Sequence, residues 1–484
     1  MFKPSIITLT LSLSLFSPTQ QAVETSKIEL PDMGDSSGTL ITPEEEKEFG
    51  EAFFRSLHSQ ITINQDAEIQ QYIDSIGQKL VSNSDAPANP FHFFVVLEND
   101  INAFAGPGGY IGVNSGLILI TEEESELASV MGHEIAHVTQ RHLYRAAEAS
   151  SRLSIPTMAA TLAAILLGTQ SPALGQAAIM AIQAGSVQFQ INFTRENEEE
   201  ADRVGMQTLA ASHFDPRSMP TFFERLQQNT RYYGQNIPEF LRTHPVTSSR
   251  ISDTRGRAET YPYKQYPDSL AYQLAKAKVR VLTSTDDVET SKYFQTRLIQ
   301  GTLEQRTVAQ YGMGLMFLKG QKFNEAESVF QALKRDHPNQ PQYAAALART
   351  AMNFQNYNTA LLRYKKLVDQ FPENEAIALE YIEALLKAGN PKQAQKNLFS
   401  LSDKTQKLPV YLELLAQSYS DLKQPAESHR YLAEYYYATG QIQEAVLQIK
   451  LAQQSKGIGF RLASILSERL RYFLSQEEQA RRNR

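Results

Sequence analysis

His133-Glu134-Ile135-Ala136-His137 is the stretch that most limits what this chain can become. It follows Glu122 to Val130, a run that reads as the opening of a helix. Residues four apart on a helix stand one above the other on the same face. His133 and His137 can therefore aim two imidazoles at one metal ion, and Glu134, one position round, can reach a water bound to it. That is the layout of a hydrolytic zinc site. The apolar Ile135, Ala136 and Val138 argue that the helix is buried and is not a polar surface helix carrying two stray histidines.

Two histidines do not complete such a site, because a catalytic zinc takes three protein ligands and keeps one open position. The third donor is expected from Asn197-Glu198-Glu199-Glu200-Ala201-Asp202, which enters a helical run from Ala201 to Ala211. Glu198 and Asp202 are again four apart. One carboxylate can take the metal while the other accepts the second ring N–H of a ligating histidine. Spacing alone leaves Glu198, Glu199 and Glu200 as alternatives.

Taken together, the paired histidines and the downstream Glu-x-Glu-Ala-Asp resemble the M48 zinc metallopeptidases, and within them a soluble periplasmic branch that carries tetratricopeptide repeats. Further shared stretches are Leu30 to Gly34, Asn102 to Gly109, Val138 to His142, Phe214 to Pro220 and Thr243-His244-Pro245. The resemblance implies Glu198 as third zinc ligand, Asp202 as the residue behind a ligand histidine, Glu134 as general base and one Zn2+ per chain. It also implies a regulatory role for His244, which would approach the zinc as a fourth ligand and close its open position. Arg250 is a weaker candidate for a transition-state or substrate contact. His142, nine residues beyond His133, is expected on the helix surface or as a cap. Gly106 stands where the family often has a bulkier residue before Pro-Gly-Gly, and is expected to loosen that loop.

The expected architecture is an α+β zincin-like metalloprotease domain over residues 44–265, mostly helical with a small sheet, followed by an all-α tetratricopeptide-repeat superhelix over residues 266–484. Met1-Phe2-Lys3 and the apolar run Ile6 to Phe16 read as a signal peptide over 1–22, ahead of an extended leader at 23–43. Thr42-Pro43-Glu44-Glu45 is a helix opening with a threonine cap, proline at the first position and glutamate at the third. Phe91 to Leu97 is expected as a strand and 102–120 as loop and strand, with Gly109, Tyr110, Ile111, Gly112 and Val113 as a candidate exposed edge for pairing with substrate backbone. The apolar runs between 153 and 184 are too short to cross a bilayer and read as a cover over the cleft, an interfacial hairpin or core.

From residue 269 the repeat test succeeds. Gly314, Ala326, Phe330 and Pro338 recur as Ala348, Ala360, Tyr364 and Pro372 at a spacing of 34 residues. Ala394 and Leu398 keep the phase, and Gly440 to Ala445 repeats the turn-plus-alanine signature. Such arrays bind extended segments or partner proteins. A net charge of −6 gives no footprint for nucleic acid, and the absence of cysteine excludes thiol chemistry and a cysteine-linked lipid anchor. The resemblance implies outer-membrane β-barrel proteins as substrates, the barrel insertion machinery as a partner, and the periplasm as the compartment.

Overall fold

The computed structural model describes residues 41–148, 194–233 and 238–482. The expected signal peptide, nearly all of the leader and the 153–184 segment lie outside the described residues. No described helix is long and apolar enough to cross a membrane.

The first unit opens with helices α1 (Pro43–His58) and α2 (Ala67–Val81). Thr42 and Glu45 form a reciprocal capping box on α1, and Asp66 caps α2 through the Glu68 and Ile69 backbone N–H groups. A sheet follows, built from β1 (His92–Val96), β2 (Ala103–Ala105) and β3 (Tyr110–Asn114) in the order β1-β3-β2. β3 runs parallel to β1, with Tyr110 opposite His92, and antiparallel to β2, with Val113 opposite Ala103. The 109–113 segment is therefore not an exposed edge. Its Tyr110 to Val113 portion is the central strand, because Phe93 to Val95 and Ala103 to Ala105 pair along its two sides. The loop before it is not loosened either: a Cβ on Gly106 would lie 2.2 Å from the Phe53 ring, so the missing side chain makes room for tight packing.

Ser115–Ile120, expected as loop and strand, is a short helix, α3. Its six residues are too few to show a helical period. The Ser115 hydroxyl and the Gly116 N–H both donate to the Glu98 carbonyl and start the turn. Helix α4 (Glu124–Thr139) then runs through the core, buried from Ser125 to His137. It is followed by α5 (His142–Glu148), α6 (Arg195–Ala211), α7 (Ser218–Tyr233), α8 (Glu239–Thr243) and α9 (Ser248–Ala258). One apolar core joins α2, the sheet, α4, α6 and α7.

Helix α10 (Leu270–Leu282) belongs to two cores. Tyr272, Ala275 and Val279 pack into the first unit, while Leu274, Ala277 and Val281 face the repeats. Beyond it come α11 (Asp287–Gln300) and then helix pairs α12 (Leu303–Lys319) with α13 (Phe323–Asp336), α14 (Pro341–Asn353) with α15 (Tyr357–Gln370), α16 (Glu375–Lys387) with α17 (Pro391–Leu398), and α18 (Pro409–Asp421) with α19 (Pro425–Ala438). Helices α20 (Ile442–Gln454) and α21 (Phe460–Arg482) end the array. Ala326, Phe330, Ala360 and Tyr364 are buried at the joints where the repeat pattern places them.

The array folds back on the first unit. Lys278 of α10 pairs with Asp66 at 2.7 Å and with Glu68, while Arg349 of α14 bridges Glu68 at 3.0 Å and Glu380 at 2.6 Å. Further along, Lys404 reaches Asp74 at 2.9 Å and the Arg55 guanidinium stacks 4.5 Å above the Tyr437 ring. Between these contacts a cleft of about 1570 Å3 remains, lined by α1, α2, the sheet and the turns at 372–376 and 400–410.

Candidate metal centre

Helices α4 and α6 cross with glycine on glycine. A Cβ on Gly205 would lie 3.0 Å from the Gly132 carbonyl carbon, and one on Gly132 would lie 3.2 Å from the Gly205 oxygen. Glycine inside a helix costs about 1 kcal/mol against alanine. Here it lets the backbone of the HExxH helix touch that of its partner, and His133 follows Gly132 directly. One and two turns before the crossing on α6, Asp202 and Glu198 come level with the histidines.

The result is a compact donor set. His133 Nε2 lies 3.0 Å from His137 Nε2 and 3.5 Å from Glu198 Oε2, and His137 Nε2 lies 3.4 Å from Glu198 Oε1. His244, at the C-terminal end of α8, brings its Nδ1 to 3.0 Å from Glu198 Oε1 and 3.4 Å from His133 Nε2. A tetrahedron with the 2.0–2.1 Å arms of zinc has edges of about 3.3 Å. These separations straddle that value, and three imidazole nitrogens with one carboxylate oxygen are zinc-type donors. The cluster of His133, His137, Glu198 and His244 is wholly buried and fits such an ion. Of the three consecutive glutamates, Glu198 belongs to this cluster and Glu199 and Glu200 stand outside it.

The surroundings tune each donor. Burial pulls the His133 pKa down, but the Asp202 and Glu198 carboxylates more than offset this and lift it to about 9. A metal binding there displaces a proton. His137 is pushed well below its ordinary value by burial, which keeps it neutral. Burial raises the pKa of Glu134 against the opposing pull of His244 and His133. The Glu134 carboxylate faces the Ala105 backbone N–H and lies 3.4 Å from His244 Nε2.

Asp202 stands where expected, with Oδ1 3.0 Å from His133 Nδ1. Arg250 does not face outward to a substrate. It is 1% exposed, donates Nε and Nη2 to the two Asp202 oxygens at 2.7 Å each, and turns Nη1 to Glu198 at 2.8 Å and to the Pro245 carbonyl at 2.9 Å. It braces the ligand helix and the His244-Pro245 segment from behind.

His142 is a second correction. Counting nine residues along one helix put it on the surface, but α4 stops at Thr139 and Arg141 takes a left-handed φ of 55°. The break returns His142 over the metal helix, fully buried, with Nδ1 2.9 Å from His137 Nδ1. The conformation of a lone arginine is invisible in sequence, so no periodicity argument could have found this contact.

A buried HExxH helix crossed by a second helix that supplies a carboxylate donor defines a metallopeptidase. The family model for peptidase family M48 matches residues 67–258, and a tetratricopeptide-repeat model matches residues 351–418. The chain is 34% identical over 430 residues to the beta-barrel assembly-enhancing protease of Escherichia coli K12, covering 89% of this chain and 88% of that one. It is 40% identical over 342 residues to a putative beta-barrel assembly-enhancing protease of Vibrio cholerae, covering 70% of each. The mitochondrial metalloendopeptidase OMA1 of Schizosaccharomyces pombe is 27% identical over 180 residues, 37% of this chain and 50% of that one. The chain belongs to peptidase family M48: it is a metalloendopeptidase with a tetratricopeptide-repeat domain.

Proposed function

We propose that this chain is a zinc-dependent endopeptidase of the periplasm that removes misfolded or stalled outer-membrane β-barrel proteins and assists their assembly through its repeats. The observation that carries the reading is the four-donor cluster with Glu134 beside it, in a chain similar over most of its length to proteases named for β-barrel assembly. The signal-like N-terminus, Met1 to Ala22, supports the compartment.

His133, His137 and Glu198 would hold the ion. Zinc, when bound, supplies Lewis-acid polarisation of the scissile carbonyl and a water of lowered pKa. Glu134, excluded from solvent and with its pKa raised, takes a proton from the attacking water and delivers it to the leaving amine. Asp202 fixes the His133 ring through Nδ1, and Arg250 holds Asp202 and Glu198 in register.

Substrate backbone is placed along β2. Among the described residues this strand pairs with β3 alone, and its Ala105 N–H faces Glu134. Gly108, Gly109, Val138 and Arg141 line both the large cleft beneath the repeats and a small cavity beside His137. The cleft and the cavity thus share a wall, along which an extended polypeptide held against the repeats would reach the site.

Glu134→Gln tests the reading. Cleavage of an unfolded protein by the mature chain should fall by about 10²–10⁴-fold or more, with zinc content and binding of unfolded β-barrel protein unchanged. Cleavage near the parent rate removes Glu134 as the base. A zinc-loaded His244→Ala chain that binds such proteins but never cleaves them would be a scaffold with a silent site.

A further inference from the structure

Helix α6 carries Glu198, Glu200 and Asp202 on alternate residues, and only two of these have a part so far. Glu198 joins the donor cluster and Asp202 backs His133. Glu200 belongs to neither. Its Oε2 lies 3.0 Å from His142 Nε2 and 2.7 Å from Arg145 Nη2. His142 in turn touches His137, Nδ1 to Nδ1, at 2.9 Å. An unbroken line of polar contacts runs from a ligand histidine through His142 and Glu200 to Arg145 at the surface.

Proton bookkeeping along that line leaves one consistent assignment. His137 Nε2 points into the donor cluster, so as a ligand it must present a lone pair there and carry its proton on Nδ1. Among the described residues Nδ1 meets His142 Nδ1, which must then accept. A neutral imidazole that accepts at Nδ1 carries its proton on Nε2. That nitrogen faces Glu200, an ionised carboxylate that can only accept, and Arg145 holds the carboxylate in place. Reversing His137 would set lone pair against lone pair, and reversing His142 would set N–H against N–H and a lone pair against a carboxylate.

We infer that His142 is a positioning residue of the metal centre: it fixes the tautomer and ring plane of His137, with Glu200 and Arg145 anchoring it in turn. The two ligand histidines are thereby supported differently. His133 rests directly on a carboxylate, whereas His137 reaches one through an intervening imidazole. The left-handed Arg141 gives this support its geometry, because it turns α5 so that its first residue covers His137.

The inference rests on the zinc reading, and the test separates the two. Affinity of the mature full-length chain for Zn2+ is measured by competition with a chelator, for the parent, His137→Ala, His142→Phe, His142→Asn and Glu200→Ala. Phenylalanine fills the ring volume without an acceptor, while the asparagine Oδ1 stands near the former Nδ1 and accepts from His137. The expected result is a loss of about 10–100-fold for His142→Phe, recovery of most of it in His142→Asn, and a several-fold loss in Glu200→Ala. In the zinc-free parent, 15N-labelled histidine spectra should show His137 protonated on Nδ1 and His142 on Nε2.

Parent-like affinity in His142→Phe overturns the inference while the zinc site stands. Asparagine as weak as phenylalanine makes packing the cause and also overturns it. So does a His137 protonated on Nε2 in the parent. If His142→Phe fails to fold, Glu200→Ala carries the test, and an unchanged affinity there removes the line of support. A parent that binds no zinc, or a His137→Ala chain that binds it undiminished, overturns the metal reading itself.

Discussion

His244 stands against Glu134 and Glu198 with opposite edges of one ring: Nε2 lies 3.4 Å from Glu134 Oε1, and Nδ1 lies 3.0 Å from Glu198 Oε1. A single side chain thus covers the fourth donor position and the carboxylate proposed as the base. Zinc with four protein ligands has no place for the attacking water. His244→Ala should therefore raise basal cleavage of an unfolded protein with zinc content unchanged, and Glu134→Gln in the same background should abolish it. Turnover by purified single and double mutants checks this. Loss of zinc in His244→Ala would make His244 a structural ligand, and lower activity with zinc retained would make it an aid to the transition state.

Metal content distinguishes the three consecutive glutamates. Of the three, only Glu198 belongs to the cluster with His133, His137 and His244. Elemental analysis after dialysis should give about one zinc per parent chain, near-zero occupancy for Glu198→Ala and parent-like occupancy for Glu199→Ala. Full occupancy in Glu198→Ala would refute the ligand assignment.

The glycine crossing is testable through the same metal. Alanine at 205 gains up to about 1 kcal/mol of helix propensity. Its Cβ, 3.0 Å from the backbone of Gly132, must push α4 and α6 apart by a few tenths of an ångström. Overpacking of this kind costs about 1–3 kcal/mol, and the shift falls where His133 meets Glu198. Gly205→Ala should lower zinc affinity by about tenfold, equivalent to roughly 1.4 kcal/mol. Unchanged affinity would mean that the crossing tolerates a methyl group and does not set the site.

What could be read from sequence divides along physical lines. Helical spacing fixes which face a side chain occupies, so the roles proposed for His133, His137, Glu198 and Asp202 all met geometry that fits them. The capping box at Thr42 and the alanines of the repeats were equally readable, being local patterns. Strand order was not. Tyr110 to Val113 looks like an edge because its sequence carries no record of β2, a three-residue strand that doubles back from Ala103. The contacts of His142 and Arg250 are hidden for a related reason: they depend on where a chain break and a second helix send them. The repeat phase is partly hidden too. Left-handed residues mark the inter-helix turns at Gln321, Gln355, Gly389, Lys423 and Gly457, each 34 residues after the last. Glycine betrays only two of these turns, and glutamine or lysine disguises the others.

The seam between the two units offers a stability test. Lys278 is buried between Asp66 and Glu68, and Arg349 shares Glu68. Removing one partner of a buried ionic network leaves an uncompensated charge, at a cost of about 3–5 kcal/mol. Lys278→Met keeps most of the side chain's length and loses its charge. Its first thermal transition should fall well below that of the parent, and protease cleavage near residues 266–269 should accelerate. A parent-like transition would show that the seam is held by apolar packing along α10 alone.

Acid should weaken the fold through His58, remote from the metal. Burial holds its pKa down to about 4, against 6.5 in the unfolded chain, and its ring stands edge-on to Phe54 at 5.2 Å. Between those values the unfolded chain binds a proton that the folded chain refuses, so stability rises with pH across the window and falls as pH drops from 6.5 to 4. Above the window both states are neutral there, below it both are charged, and the contribution is flat. Each unit of displacement is worth about 1.4 kcal/mol, and partial exposure to the cleft reduces the total to about 2 kcal/mol. His58→Gln cannot take up the proton. With chelator present, so that zinc release adds nothing, the variant should lose less thermal stability than the parent between pH 7.5 and pH 5, by about 2–4 °C for each kcal/mol. Equal losses in the two chains would place the acid sensitivity elsewhere.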